Sequence, residues 1–262
     1  MLARAFDIPG WAMGLKEPVI LNDIVGWRRR GGHGPDMASV LDDVLTLLAR
    51  PFSPGETIIV KPSNIVNGLA SAILTLRPDA HALFLHAPLR NYLASIAKKN
   101  MDGRLWARTL LQGLIDDKLV NLGYSVSDYL GQTDLQVAAV GWLTQHALFD
   151  RLSKQFGKNR VRTLDSETFI SNPASSITQL SALFGLPLDT ERLNQIISGP
   201  AFNRHSKIDT AFASDDRVRE HDAAVETHAD EVEKVAQWAE VVAATFEIPI
   251  DLPAQLLNNK KL

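Results

Sequence analysis

Thr57-Ile-Ile-Val60, followed by Lys61-Pro62-Ser63-Asn64 and, after a helical stretch, by His81-Ala-Leu-Phe-Leu85, decides the fold class of this 262-residue chain. The first run is β-branched, follows the turn-forming Pro54-Gly55 and stops at Lys61-Pro62, which is the composition of a short strand. Between the two runs Ile65, Leu69, Ile73 and Leu76 recur at helical spacing, and Pro78-Asp79 closes the stripe. Beyond Leu85, an amphipathic stretch from Leu89 to Lys99 carries Leu89, Leu93, Ile96 and Ala97 on one face. Strand, turn, helix, strand, turn, helix is the order of parallel α/β units, whose crossovers are right-handed.

Further along, Val161-Arg-Thr-Leu164 reads as a third buried strand after a long helix from about Leu135 to Phe156. The middle of the chain, about 100–158, is helical in pattern and holds Trp106, Trp142 and His146. Residues 174–186 form a short helix that ends near Gly185, with Pro187 just beyond as a stop signal. From Asp215 to Phe246, Val225, Val232, Val235, Ala239 and Val242 fall near one face of a last helix. Its opening is acidic (Asp215, Asp216, Glu220, Asp222), which suits a helix N-terminal half. There is no internal repeat and no low-complexity linker. The expectation is one α/β domain over 1–262, with a parallel sheet containing strands near 57–60, 82–85 and 161–164, flanked by helices and carrying a helical insertion at about 100–158.

With 45% hydrophobic residues the chain fills a sizeable core. Its 27 basic and 30 acidic residues give a charge of −3, which argues against holding duplex nucleic acid by general electrostatics. The absence of cysteine excludes a disulfide scaffold, a thiolate metal site and a cysteine nucleophile. No apolar run approaches the roughly 18 residues of a spanning helix. The opening MLARAFDIPGW lacks the pattern of a secretory signal, so a cytoplasmic location is expected.

Lys61 and Ser63 stand where a strand ends and a helix begins, the edge at which open α/β sheets place ligands. Ser63 is a good N-cap, and a helix N-terminus beside a lysine attracts an anion. The plainer reading is a cap and a solvated side chain. His86-Ala-Pro-Leu-Arg90 repeats the arrangement at the next strand, and Asn91, Ser95 and Lys98 share one polar face of the helix that follows. Arg90 lies about 140° from Ser95 around that helix. Glu17-Pro18 leads into an apolar run, where a carboxylate could serve as a general base or simply sit at the surface. Trp27-Arg-Arg-Arg-Gly-Gly-His33 is a basic, glycine-rich loop, and His205 lies in a polar one. No HExxH, GxSxG, GxGxxG or GxxxxGK[ST] pattern is present.

Taken together, these segments resemble the sulfotransferase family, within the phosphate-loop nucleotide-binding fold. Asp165-Ser-Glu-Thr-Phe169-Ile-Ser-Asn172-Pro173, with Leu180-Ser-Ala-Leu-Phe184-Gly-Leu-Pro187, is similar to that family's late strand, acidic turn and helix end. Phe84-Leu-His-Ala-Pro88 through Ser95 looks like its segment for the 3′-phosphate of 3′-phosphoadenosine-5′-phosphosulfate. Lys16-Glu-Pro18 resembles an early element of bacterial relatives, and Asn203-Arg-His-Ser-Lys207 takes the place of a late basic loop. His86 stands where the family has arginine, and Ser95 falls one residue late. The family's Gly-Ser-Thr phosphosulfate loop has no counterpart in this sequence, and Met1–Phe6 resembles the helix that follows it, so the expectation is a natural protein with a longer N-terminus or one descended from such a protein.

The resemblance implies sulfuryl transfer from 3′-phosphoadenosine-5′-phosphosulfate to a hydroxyl or amine of a small-molecule or carbohydrate acceptor. By the same resemblance Lys61 and Ser63 lie near the donor, Arg90 and Ser95 near the nucleotide, and Glu17 is the candidate base. Two alternatives stay open: a nucleotide- or partner-binding protein of the same fold without catalysis, and a small-molecule phosphotransferase. The second is disfavoured by the lack of a phosphate-loop lysine.

Overall fold

The computed structural model describes residues 2–203 and 214–257, with side chains described for 2–202 and 228–257. Helix α1 (Leu2–Ala5) leads to β1 (Ala12–Lys16), α2 (Val19–Arg29), α3 (Gly34–Leu48) and β2 (Thr57–Lys61). A 3-10 turn over Asn64–Leu69 runs into α4 (Ala70–Leu76), then β3 (Ala82–His86), α5 (Leu89–Lys98) and α6 (Asn100–Asp116). A second such turn (Asp128–Gly131) precedes α7 (Asp134–Phe156), β4 (Val161–Asp165) and α8 (Ser166–Ser171). Four helices follow: α9 (Pro173–Leu183), α10 (Thr190–Ile197), α11 (Pro200–Asn203) and α12 (Ser214–Thr245). The chain is therefore mixed α/β and mostly helical.

All four strands pair in parallel, in two two-stranded sheets. β1 lies beside β2 in the register Ala12↔Thr57 to Lys16↔Lys61, and β3 lies beside β4 from Ala82↔Val161 to His86↔Asp165. Parallel neighbours need a helical crossover, supplied here by α2 and α3 in the first sheet and by α5 to α7 in the second. The three strands expected from sequence are all present, but not in one sheet. β2 pairs instead with β1, a strand whose Ala-Met-Gly-Leu-Lys sequence has no β-branched residue. Gly14 in that strand is required by packing: a Cβ there would lie 2.6 Å from the carbonyl oxygen of Ala3.

Two compact units result: residues 1–81 with 172–214, and residues 82–171 with 215–262. In the first, Leu21, Ile24 and Val25 of α2 and Leu41, Val44 and Leu45 of α3 bury against Val66 and Leu69. Phe6 stacks on Trp11 at 5.6 Å and meets Phe184 edge-on at 5.7 Å. In the second, α5, α6, α7 and α12 share one core, with Leu93, Leu135 and Leu143 fully enclosed. Helix α7 begins in a capping box of Thr133 and Gln136 and ends at Gly157 with φ 76°. It is buried on most sides, which is why Thr144 and His146 end up inside. The helical segment expected at about 100–158 is α6 and α7.

Candidate functional site

At the carboxyl end of the first sheet the ladder runs one residue beyond the last register pair, because the N–H of Glu17 donates to the carbonyl of Lys61 at 2.6 Å. Glu17 adopts φ 50°, a left-handed conformation that a non-glycine residue takes at a cost of about 1–2 kcal/mol. That turn returns its carboxylate over the edge, where it accepts a hydrogen bond from Lys61 Nζ. Both side chains are about half exposed. Helix α2 starts two residues later behind Pro18, without a side-chain cap and with no acidic residue in its first turn. The start of this helix, with the positive end of its dipole, therefore lies two residues along the chain from the Glu17 carboxylate.

Ser63 occupies the N-cap position of the Asn64–Leu69 turn, as its sequence context implies, but its hydroxyl does not cap. Ser63 Oγ donates instead to Asn22 Oδ1 of α2 at 2.7 Å. The bond ties α2 to the start of the crossover. Arg28 adds a second tie, donating from Nη1 to the carbonyl of Gly68 at 3.1 Å. Trp27, Arg28 and Arg29, expected in a loop, lie in the last turn of α2. Only the Arg30–His33 part leaves the helix, and the Trp27 ring covers Gly32, where a Cβ would approach to 2.7 Å.

Arg90 and Ser95 belong to the second unit and lie on different sides of α5. Arg90, exposed in the first turn of α5, is held by α12: Nε and Nη2 form a two-pronged contact with the Glu233 carboxylate at 2.8 and 2.9 Å. Its Nη1 donates to Glu240 at 2.6 Å. The guanidinium holds Glu233 well below the usual carboxylate range, at about 2. Ser95 is exposed on another side of α5. At its own sheet edge Lys61 has Glu17 as its neighbour, because β2 pairs with β1.

Sequence reading singled out Glu17, Lys61, Ser63, Arg90 and Ser95, and the structure joins only the first two directly. It missed Asn22, Glu233 and Glu240. The two glutamates are seven residues apart, two turns on one face of a helix, so their common face was open to reading although their partner was not. His205 lies outside the described residues, as does most of its basic segment. Among the described residues no group of three or more His, Asp or Glu is placed to hold a metal ion, and no helix is long and apolar enough to cross a membrane. Comparison with known proteins finds no matching family model, no matching curated protein and no matching solved structure.

Proposed function

We propose that the chain is a sulfotransferase-like enzyme of phosphate-loop type, moving a sulfuryl group from 3′-phosphoadenosine-5′-phosphosulfate to a hydroxyl or amine. The observation that carries this reading is the Glu17–Lys61 pair at the carboxyl end of two parallel strands, beside the uncapped start of α2. Sulfuryl transfer asks for a base at the acceptor and for positive charge where negative charge gathers on the leaving oxygen. Glu17 is the base in this reading and takes the acceptor proton. Lys61 supplies the charge, and exchanging its partner from Glu17 to an anion frees the carboxylate for that task. Ser63, oriented by Asn22, offers its hydroxyl oxygen and leaves the neighbouring backbone N–H groups to the anion. The bound donor supplies the activated sulfuryl group. Contact with the nucleotide by Arg90 and Ser95 stays part of the proposal on the strength of the resemblance.

A second reading, partner binding without catalysis, is favoured by one contact: Arg90 is already engaged by two carboxylates. Thermal-shift measurements with adenosine 3′,5′-bisphosphate and with ATP–magnesium separate the possibilities, since a ligand that binds the native state raises its melting temperature. Stabilisation by the bisphosphate alone supports the sulfotransferase reading. Stabilisation by ATP–magnesium alone replaces it with a phosphotransferase, and none from either leaves partner binding. Transfer of radiolabelled sulfate to a panel of hydroxyl and amine acceptors then tests catalysis directly.

A further inference from the structure

The second unit holds two imidazoles in contact, His146 fully buried and His86 partly so. His146, in the middle of α7, is 1% exposed. Its ring stacks on Trp142, one turn earlier, with centroids 3.4 Å apart and planes inclined by 25°. His86, the last residue of β3, meets it edge-on at 5.0 Å and 88°. Phe149 closes another side at 6.5 Å and itself stacks on Phe84 at 4.3 Å. Among the described residues the polar contact of the His146 ring is Nδ1 with the carbonyl of Pro249 at 3.1 Å. A carbonyl can only accept, so Nδ1 carries the proton and Nε2 is a bare acceptor. Among the described residues that buried Nε2 has no hydrogen-bond partner, and neither does the buried Nδ1 of His86.

We propose that the His86–His146 pair is an acid trigger: a proton taken up there releases α7 from the end of β3 and from the Pro249 segment, and opens the second unit. Protonating Nε2 of His146 creates an N–H with no acceptor and a charge among aromatic rings, beside a second imidazole. The cost of a buried, unsatisfied charged donor falls on the native state alone. The charged groups that act on His86 are Asp165, its register partner on β4, and Asp251 of the C-terminal segment; both favour its charged form, as does the Ala87 backbone. Burial outweighs them and holds His86 below the usual histidine value. His146 is faced by no carboxylate among the described groups that act on it. Burial first, then His86, push it down to about 3, against a small opposing effect of the Pro249 carbonyl.

The direction follows from linkage. Burial lowers both rings in the native unit relative to the unfolded value near 6.5, so below that pH the unfolded state binds more protons. Stability from this source is complete above about 6.5 and declines as pH falls, until the native His146 itself protonates near 3. The folded-to-open ratio falls by up to about tenfold per pH unit for each histidine.

Amide hydrogen exchange of the full chain between pH 7 and 5, corrected for intrinsic rates, reads the opening of α7 and of α3 separately. The expected result is an open population in α7 that rises about tenfold or more per pH unit below 6.5, a rise that His146→Phe reduces by about tenfold per unit. An identical pH dependence in wild type and His146→Phe would overturn the proposal. Should that variant not fold, NMR titration of the wild-type ring decides: a His146 that stays neutral at pH 5 supports the trigger, and one that titrates near 6.5 refutes it.

Discussion

Lys61 Nζ donates to the carboxylate of Glu17 across the carboxyl ends of β1 and β2, one residue past the last pair of the strand register. Each charge is the other's partner, and the left-handed turn at Glu17 is what brings the carboxylate back over the edge. A turn that costs energy at the edge where parallel sheets bind ligands is the kind of local strain that persists at working sites.

Replacing Lys61 with alanine separates a ligand role from a structural one. Binding of adenosine 3′,5′-bisphosphate should weaken by about 1–3 kcal/mol, the range for a hydrogen bond to a charged group. Folding stability should change by no more than about 0.5 kcal/mol, because a half-exposed ion pair contributes little. Isothermal calorimetry with both proteins checks this, and equal affinities would remove Lys61 from the site.

The Arg90 clamp makes its own prediction about acid. Glu233 titrates at about 2 in the native chain, held down first by its bonds to Arg90 and then by Gln237. A carboxylate lowered in the native state stabilises it above the unfolded value near 4.5, and that contribution disappears as pH falls toward 2. Arg90→Met should return Glu233 toward the ordinary glutamate value, as followed by the NMR shift of its side-chain carboxyl carbon. A wild-type Glu233 that already titrates near 4.5 would show that the clamp is not populated in solution.

Local pattern was enough for β2, β3 and β4, whose apolar runs are bounded by turns, and for α5, α7, α9 and α12. It was not enough for β1, where Ala-Met-Gly-Leu-Lys is shaped by its approach to Ala3 and its pairing with β2 rather than by propensity. Helix α3 was overlooked although Leu41, Val44, Leu45 and Leu48 repeat at helical spacing behind Pro35. At the candidate site, Glu17 is conspicuous as a carboxylate before a proline that leads into an apolar run, and Lys61 as a lysine before a proline at the end of one. The direct bond between them depends on β1 pairing with β2, which local pattern does not show. The partners of Arg90 lie 143 and 150 residues away, beyond the reach of any periodicity.

Two glycines in the second unit should respond in opposite directions to alanine. At Gly103 a Cβ would lie 2.5 Å from the carbonyl oxygen of Ile96 and 2.7 Å from Lys99 Cβ, where α5 turns into α6. The backbone has to shift, so Gly103→Ala should destabilise by about 1–3 kcal/mol. At Gly141, inside α7, the nearest atom is Leu114 Cδ1 at 3.9 Å, an ordinary contact. There the gain in helix propensity should prevail, and Gly141→Ala should stabilise by about 0.5–1 kcal/mol. Urea denaturation of the two variants beside wild type reads both signs in one series.

Trp11 is the fastener of the first unit, which is built from two separated stretches of chain. It sits just before β1, is 4% exposed, and donates its indole N–H to the carbonyl of Pro187 at 2.8 Å. Phe6 stacks on one part of the ring, and the Arg192 guanidinium lies 5.2 Å from its centre. Every one of these contacts except that with Phe6 joins residues 1–81 to the 172–203 stretch, so the tryptophan works through both its area and its donor. Trp11→Phe keeps most of the apolar surface but leaves the Pro187 carbonyl without its donor, and should cost about 1–3 kcal/mol. Trp11→Ala removes the ring as well and should cost about 3–5 kcal/mol. Hydrogen exchange of α9 and α10 in Trp11→Phe locates the loss. Faster exchange there than in wild type is expected, with α7 unchanged. Equal exchange in α9 and α10 would mean that the bond to Pro187 does not hold the two stretches together.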